Sequence, residues 1–511
     1  MKLVQSALAR WPDYARLEQA VEGGAVPGAV TGLSGVHKCC VIASLCKKTG
    51  RRALVLAADE AEAQRFCEDL AALGLRPVSY PLRDFNFRDT AGTSHEYERL
   101  RLEALSKLED GQCDCIVACM DAALQYTLGP EELERKLFTL RPGDQLEIAG
   151  LLEALVKCGY TREDQIEGPG QFSHRGGIVD FFSPSASAPV RVEFWGDEVD
   201  SLSSFDMESQ RRTESIPQVT LAPCVEVIPE KPAFLAQKIE KLAASLRGKN
   251  APKAKEVLRG EAEKLKNGLR IGSMDKFISL VYPQAATLFD YFPPEDSLLF
   301  FSEGNKLKER VRTTLWQWGE DVKSYLAEGL LCKGLDQYSQ DWEYALGKAE
   351  ETPTLFLDLF ARGSYEIPTK TLVNMTAKQL SPWGGGVELL AEDLRALLDQ
   401  GRACAVLTGT ERAGKALAED LKRAGLPAAW MDAASTVNPG TVVVTLGALS
   451  AGFELPEANF ALITHGRMTE VKRKRVKRDK NSKEISSLSE LAPGDYVVHA
   501  THGIGLFEGI H

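Results

Sequence analysis

Short apolar runs alternate with amphipathic stretches in the first part of this chain, residues 1–128. Residues 53–58 predict a buried strand, and Asp59-Glu60 begins a predicted helix over residues 61–73. Residues 115–119 predict a second buried strand, again followed by an acidic residue and a helix. Strand–helix repeats of this kind are typical of a parallel sheet with helices on its faces.

Over residues 129–216 the pattern changes, and apolar and polar residues alternate with a period of two. The segment Arg191-Val192-Glu193-Phe194-Trp195 alternates charged and apolar side chains, and Gly196-Asp197-Glu198 supplies a hairpin turn. Gly176-Gly177 and Ser183-Pro184 mark further turns. The sequence therefore predicts a small β-rich insertion with one solvated, charged face.

A mainly helical pattern follows over residues 217–348, with a Lys-rich amphipathic stretch at 231–268 and a further buried strand at 297–301. Residues 349–468 then restart the strand–helix alternation, which predicts a separate small α/β domain. Its predicted helices and strands are residues 389–398, 403–407, 412–424, 441–445 and 460–464.

Basic and polar side chains dominate residues 469–490, which predict a linker, and residues 491–511 predict the start of a new β unit. We expect this unit to be truncated at residue 511 and the chain to be a fragment. The predicted fold class is therefore α/β and multidomain. It combines a parallel sheet of the phosphate-loop type with a β-rich insertion, a second α/β domain and an incomplete β module.

Composition narrows the class of protein. With 44% hydrophobic and 26% charged residues, the chain is typical of a globular protein. It lacks both a run of roughly 18 apolar residues and the apolar core of a signal peptide, so we expect a cytoplasmic protein with no membrane partner. The eleven cysteines form no CxxC pair and are predicted to be free thiols. His499 and His502 have no third ligand nearby, so no metal site is predicted.

The net charge of −11 argues against a protein that binds nucleic acid through its overall field. Residues 471–480 are an exception, because seven of these ten positions are Lys or Arg. Such a run is typical of a solvated linker, but also of a segment that lies near DNA phosphates. The candidates for the second role are Lys472, Arg473, Lys474, Arg475, Lys477 and Arg478.

One segment, residues 32–39, has the length of the phosphate loop G-x-x-x-x-G-K-[ST]. His37 replaces the second glycine, whose missing side chain lets the backbone wrap the phosphates, and Cys39 replaces the hydroxyl that ligates Mg²⁺. A nucleotide hydrolase also needs a strand that ends in Asp-Glu, but the best candidate strand ends in Ser302-Glu303. We therefore predict no catalytic residue and no cofactor in this chain. The remnants of the degenerate loop are Gly32, Gly35 and Lys38.

Three stretches carry a resemblance to a known family. Residues 170–206, with Arg175-Gly176-Gly177 and Arg191-x-Glu193-Phe194, resemble the insertion domain shared by the UvrB repair helicase and bacterial transcription-repair coupling factors. Residues 447–456 resemble a motif of the coupling factors' third domain, and residues 491–505 resemble the start of their RNA-polymerase-interaction module. UvrB has neither of the last two, so the chain resembles the N-terminal, UvrB-like region of a coupling factor.

This resemblance implies a UvrB-like body without ATPase motifs and a β-rich domain that binds UvrA. The implied function is to recruit UvrA to RNA polymerase stalled at DNA lesions, in transcription-coupled nucleotide excision repair. Ser173 stands where such sequences often carry another Arg. The UvrA contacts implied by matching positions are Arg162, Arg175, Arg191 and Glu193.

The terminal module is implied to bind the β subunit of RNA polymerase. The family's ATP-dependent translocase motor, with its ATP, its Mg²⁺ and its main contacts to double-stranded DNA, is expected to lie outside this chain. We expect the chain itself to be monomeric and non-catalytic. The implied polymerase-binding residues are Val498, His502, Gly503, Ile504 and Gly505.

Other interpretations stay open on the sequence alone. A UvrB-like, ATP-dependent DNA repair helicase requires nucleotide binding at Lys38, which His37 and Ser302 argue against. A general single-stranded DNA binder that uses residues 471–480 requires an affinity that falls steeply with salt. On the β-rich face, cross-strand surface pairs would explain the Arg-x-Glu pattern without any partner.

Overall fold

The computed structural model describes residues 1–88, 95–269, 271–384 and 386–465, and two short strands that follow them. Two 3₁₀ helices, Met274–Phe277 and Leu288–Tyr291, accompany the elements below. The α-helices described are α1 (Lys2–Leu8), α2 (Pro12–Glu22), α3 (Gly35–Thr49), α4 (Glu60–Ala72), α5 (Glu96–Glu109), α6 (Met120–Leu124), α7 (Pro130–Glu134), α8 (Ile148–Lys157), α9 (Pro232–Ser245), α10 (Ala251–Lys266), α11 (Ile278–Val281), α12 (Gly304–Glu328), α13 (Trp342–Glu351), α14 (Val387–Asp399) and α15 (Glu411–Arg423). The strands described are β1 (Gly28–Thr31), β2 (Arg52–Ala57), β3 (Pro77–Tyr80), β4 (Cys115–Cys119), β5 (Phe138–Leu140), β6 (Thr161–Arg162), β7 (Gln171–Arg175), β8 (Ile178–Phe181), β9 (Val190–Trp195), β10 (Glu198–Phe205), β11 (Arg212–Ser215), β12 (Val219–Leu221), β13 (Ser297–Ser302), β14 (Thr354–Asp358), β15 (Thr371–Asn374), β16 (Lys378–Leu380), β17 (Ala403–Thr408), β18 (Ala428–Trp430), β19 (Val442–Leu446), β20 (Gly452–Leu455), β21 (Phe460–Thr464), β22 (Tyr496–His499) and β23 (Gly503–Leu506).

Seven strands form the first sheet, in the order β15-β1-β14-β13-β2-β4-β3, and all of its pairs are parallel. Strands β4 and β13 are buried at every position, as expected where both faces of a parallel sheet are covered. The α/β architecture with a parallel sheet is confirmed, and the strands predicted at 53–58 and 115–119 are β2 and β4. Because parallel strands end at the same edge, the carboxyl ends of β1, β14 and β13 lie side by side.

A second, six-stranded sheet lies within residues 161–215, in the order β11-β10-β9-β8-β7-β6. Neighbouring strands are antiparallel except for β6 and β7. The turns predicted at Gly176-Gly177 and Gly196-Asp197 connect β7 to β8 and β9 to β10. One face of the sheet packs on α8 through a small core that includes Leu151, Leu155, Phe172, Val179, Val192 and Leu202.

Helices α9 and α10 divide the Lys-rich stretch at 231–268 into two, with a break at Gly248, whose φ is +105°. Their apolar faces pack together with Phe277, the last residue of the 3₁₀ segment at 274–277. Amphipathic periodicity alone does not show where a long helical stretch breaks, but a glycine with positive φ accounts for the break here.

A mixed third sheet has the order β16-β20-β21-β17-β19-β18. It carries α14 and α15, and its elements include all five helices and strands predicted for the second α/β domain. Strands β14 and β15 follow residue 349, where that domain was predicted to begin, but they pair in the first sheet on either side of β1. The first sheet therefore continues past residue 349, because a buried apolar run does not encode which sheet it joins.

Strands β22 and β23 form an antiparallel hairpin, in the region predicted to begin a new β unit. The predicted linker at 469–490 lies outside the described residues. All eleven cysteines are free thiols, and ten of them are buried. None of the helices in the described ranges is both long and apolar enough to cross a membrane.

Candidate functional site

The degenerate phosphate loop follows β1 at the carboxyl edge of the first sheet. Gly32 has φ +87°, and a Cβ built on it would lie 2.1 Å from the carbonyl oxygen of Met375. A side chain is therefore excluded at this position, whatever the loop binds. Ser34 is the N-cap residue of α3, and Gly35 and Lys38 lie in its first turn, as in a phosphate loop.

The Lys38 amine contacts two side chains at the end of β13, a pairing that the sequence analysis did not predict. Lys38 is 2% exposed; its Nζ lies 2.6 Å from Glu303 Oε1 and donates to Ser302 Oγ at 3.1 Å. Glu303 adopts a left-handed conformation, with φ +56°, and also accepts the Leu359 N–H at 2.9 Å. The cation that would meet a phosphate is thus neutralised by a carboxylate of the same chain.

His37 lies beside this ion pair and is 2% exposed. Its Nδ1 lies 2.7 Å from Ser34 Oγ, and its ring packs edge-on against Phe453 of β20, with 5.5 Å between centroids. Burial lowers the pKa of the imidazole to about 4. An imidazole and a phenyl ring therefore stand where the missing glycine would leave the backbone open to phosphates.

The motif at 447–456 contacts the first sheet's helices next to His37. Ser450 donates its backbone N–H to Asp69 Oδ1 at 2.8 Å and its hydroxyl to Asp69 Oδ2 at 2.5 Å. Asp69 lies on α4 and is 1% exposed. The motif thus connects the third sheet to the helices beside the degenerate loop, a contact that the sequence analysis did not predict.

The second sheet carries the four residues predicted to contact UvrA. Strand register places Arg175, Arg191 and Glu193 on the face opposite the Leu151 core, because Arg175 pairs with Ile178 and Ile178 with Glu193. Arg162 pairs with Phe172, a core residue, and so lies on the other face at the β6 edge. The fold brings three of the four together and leaves Arg162 apart.

Arg191 and Glu193 already have partners inside the domain. The Arg191 guanidinium makes a bidentate ion pair with Asp180, at 2.8 Å for both bonds, and lies 5.0 Å from the Phe205 ring centroid. Glu193 accepts from Ser201 Oγ at 2.9 Å and pairs with Arg212. These are the cross-strand pairs that the alternative interpretation of the pattern required. Their role toward UvrA stays a prediction.

Arg162 and Arg175 are both exposed at the rim of the sheet. Arg175 donates one hydrogen bond to the Asp164 carbonyl oxygen, which leaves most of its five donor positions open to solvent. Trp195, at the end of β9, is 83% exposed, yet sequence reasoning did not select it as a contact residue. The sequence did contain a signal for Trp195, because it lies two residues after Glu193 and so on the same face of the strand.

A buried ionic cluster lies where the chain returns from the β-rich domain to the body. Arg101 Nε donates to Glu226 at 2.7 Å, and Arg83 makes bonds of 3.1 and 3.0 Å to Asp275. Glu98 accepts the Glu226 N–H at 2.6 Å and lies 3.6 Å from Arg83. The cluster therefore ties the root of the β-rich domain to α5 and to the 3₁₀ segment at 274–277.

The predicted polymerase-binding residues fall on the terminal hairpin. Val498 pairs with Ile504, and Gly505 pairs with Val497. Gly503 lies at the start of β23, whereas His502 and the six basic residues of 472–478 lie outside the described residues. Among the residues that the structure describes, no group of three or more His, Cys, Asp or Glu side chains is placed to hold a metal ion.

Two family models match parts of this chain. One, described as the UvrB interaction domain, matches residues 138–226, which contain the second sheet. The other, described as the CarD-like/TRCF RID domain, matches residues 491–511, which contain the terminal hairpin. The chain therefore contains one segment similar to the UvrB interaction domain and a second similar to the CarD-like/TRCF RID domain.

Curated proteins named transcription-repair-coupling factor are similar over the whole chain. The one from Bacillus subtilis (strain 168) is 29% identical over 523 residues, covering 100% of this chain and 44% of the relative. The one from Staphylococcus haemolyticus (strain JCSC1435) is 26% identical over 499 residues, covering 94% and 42%. The resemblance found in the sequence is confirmed. This chain spans less than half the length of these relatives.

Proposed function

We propose that this chain recruits UvrA during transcription-coupled nucleotide excision repair, through the β-rich domain. The observation that carries the proposal is the exposed, charged rim of the second sheet, inside the segment that matches the UvrB interaction domain. Arg175 offers a planar guanidinium group that binds a partner's carboxylate in bidentate geometry, and Arg162 is a separate exposed arginine at the β6 edge. The domain's small apolar core faces the other way and supplies a rigid support.

Titration of UvrA into the full chain tests this function. We expect binding by the wild type, and an affinity at least about tenfold weaker for Arg175→Glu, because the change places a carboxylate against the partner's carboxylates. The matched control is Arg423→Glu, a change at another exposed arginine, on α15 in the second α/β unit, which we expect to bind like the wild type. No binding by the wild type would refute the proposal.

A role in polymerase docking is supported by a different observation, the match of residues 491–511 to the CarD-like/TRCF RID domain. In the hairpin of β22 and β23, Val498 and Ile504 are backbone partners. We expect that Ile504→Asp weakens capture of the RNA polymerase β subunit by the full chain. Equal capture by variant and wild type would contradict a docking role for this hairpin.

For the degenerate loop we infer that no nucleotide binds. Support comes from the Lys38 amine, already engaged by Glu303 and Ser302, and from the buried His37 ring in the place of a glycine. The residues present therefore do not fit a nucleoside triphosphate with Mg²⁺, which argues against a UvrB-like repair helicase. ATP turnover by the purified chain, lost in Lys38→Ala, would overturn this proposal.

A further inference from the structure

Trp195 is the most exposed large hydrophobic side chain among the described residues, at 83%. Exposure of a large indole to water is unfavourable in free energy. Tryptophan is also among the residue types most enriched at the centres of protein–protein interfaces.

Strand alternation places Trp195 on the same face as Glu193 and Arg191, at positions i, i−2 and i−4 of β9. The intervening Val192 belongs to the core on the opposite face, and Val190 does too. Trp195 therefore continues, toward the tip of the sheet, the charged face proposed above to meet UvrA.

The end of β9 is held in place by its neighbours on both sides. Trp195 pairs with Glu198 across the hairpin whose turn contains Gly196, at φ +62°. On the other side, the Phe194 N–H donates to the Gly177 carbonyl oxygen at 2.8 Å. This bond sets Trp195 beside the Gly176-Gly177 turn that Arg175 precedes, so the indole and the guanidinium belong to one rim.

The charged residues of this face differ in how far partners within the domain already occupy them. Arg191 is committed to Asp180 by two bonds of 2.8 Å, and Glu193 is committed to Ser201 and Arg212. A partner that used these two groups would have to break pairs that already exist. Arg175, by contrast, is exposed and makes one bond to a carbonyl oxygen.

We propose that Trp195 is the apolar anchor of the partner-binding surface and Arg175 its charged contact, whereas Arg191 is a positioning residue that holds β8 and β9 together. This inference rests on the proposed function, and it specifies the partner surface: an apolar pocket with a carboxylate beside it. A rigid aromatic flanked by an arginine loses little conformational entropy on binding, which suits it to such a pocket.

The test compares the wild type and three variants of the 511-residue chain by calorimetric titration with purified UvrA. Trp195→Ala is expected to lose about thirtyfold or more in affinity, whereas Trp195→Phe keeps most of it, because a ring still fills the pocket. The matched control is Trp316→Ala, which removes another exposed indole, 65% exposed on α12, and is expected to bind like the wild type. Circular dichroism checks that each variant is folded.

The positioning role of Arg191 needs its own variant. Exchange of the pair, Asp180→Arg with Arg191→Asp, keeps a cross-strand ion pair but reverses the charge at position 191. If Arg191 only positions the strands, the exchanged chain binds UvrA within a few-fold of the wild type, whereas Arg191→Asp alone binds weakly. Loss of binding in both variants would assign Arg191 a direct contact and overturn this part.

The possible outcomes separate the two proposals. Absence of binding by the wild type removes the proposed function, and this inference with it. Binding by the wild type with unchanged affinity in Trp195→Ala overturns the inference alone. Loss of self-association in Trp195→Ala, with UvrA binding unchanged, would overturn it in favour of a second copy of this chain as the occupant.

Discussion

The Lys38 side chain is 2% exposed, and its Nζ forms an ion pair with Glu303 Oε1 at 2.6 Å. Removal of one partner from such a pair leaves an uncompensated buried charge, whereas replacement of both by neutral groups is often tolerated. We expect Glu303→Gln to lower the free energy of unfolding by about 3 kcal/mol. The double variant Lys38→Met/Glu303→Gln should recover most of this loss in urea denaturation.

An exposed pair of the same length provides the control. Lys323 and Glu320 on α12 also lie 2.6 Å apart, but their side chains are 72% and 47% exposed. We expect Glu320→Gln to change the free energy of unfolding by less than about 1 kcal/mol, because solvent screens such pairs. A similar loss of unfolding free energy in Glu303→Gln and Glu320→Gln would mean that burial of Lys38 does not strengthen its ion pair.

His37 predicts a pH dependence of stability. Burial lowers its pKa from 6.5 to about 4, so between these values the unfolded state binds a proton that the folded state does not. The stability that goes with the neutral, buried imidazole is present in full above pH 6.5. It is lost as the pH falls toward 4, because protonation then favours the unfolded state. We expect the drop in unfolding free energy from pH 7 to pH 4.5 to be about 2.5 kcal/mol smaller in His37→Leu than in the wild type. Equal drops in urea titrations would contradict the burial of this imidazole.

Two helices differ in the space that surrounds a glycine. On α15, a Cβ at Gly414 would lie 1.9 Å from the Trp430 ring of β18, whereas a Cβ at Gly347 of α13 meets nothing within 4 Å. Alanine in an open helix position stabilises by roughly 0.5–1 kcal/mol. We expect Gly347→Ala to raise the melting temperature and Gly414→Ala to lower it. An increase in both would contradict the close packing of α15 on β18.

The positions of these elements could be predicted largely from the sequence, because hydrophobic periodicity and capping are local. Asp59, for example, accepts the Glu62 N–H at 2.7 Å, as expected of the residue that begins α4. Strand partners are not local. Strands β14 and β15 join the first sheet rather than the second α/β domain, and no pattern within them encodes this choice.

The candidate site was predictable in its residue types but not in its pairings. The degenerate loop and the end of β13 could be selected from the sequence, because their spacing and residue types are similar to those of a nucleotide site. The ion pair between Lys38 and Glu303 depends on a left-handed conformation at Glu303, for which glycine or asparagine would be the usual signal. The pair between Arg191 and Asp180 depends on strand register, which alternation alone does not fix.

In the whole molecule, the degenerate loop lies where the helices of the first sheet meet the third sheet. Phe453 packs on His37, and Ser450 bonds to Asp69, so the motif at 447–456 contacts the helices beside the loop. A nucleotide site must stay open to solvent to exchange its ligand, whereas this one is closed by side chains. This closure by side chains supports the proposal that no nucleotide binds at the loop.

The β-rich domain is tied to the body by the buried cluster of Arg83, Arg101, Glu98, Glu226 and Asp275. Three carboxylates there face two guanidinium groups, and burial already raises the pKa values of Glu226 and Asp275. Removal of Arg83 would leave three buried carboxylates with one arginine. The chain can relieve that excess of negative charge only by taking up protons.

We therefore expect Arg83→Met to lower the free energy of unfolding by about 4 kcal/mol at pH 7 and by clearly less at pH 5. Carboxylates without a counter-charge have raised pKa values in the folded state. The variant therefore regains stability as the pH falls, because these carboxylates become neutral. Arg88→Met is the control, since its ion pair with Glu328 is exposed and its removal should cost less than about 1 kcal/mol at either pH. Urea denaturation of both variants at the two pH values measures the difference. An equal deficit for Arg83→Met at pH 5 and pH 7 would mean that the root of the β-rich domain is held by packing rather than by these charges.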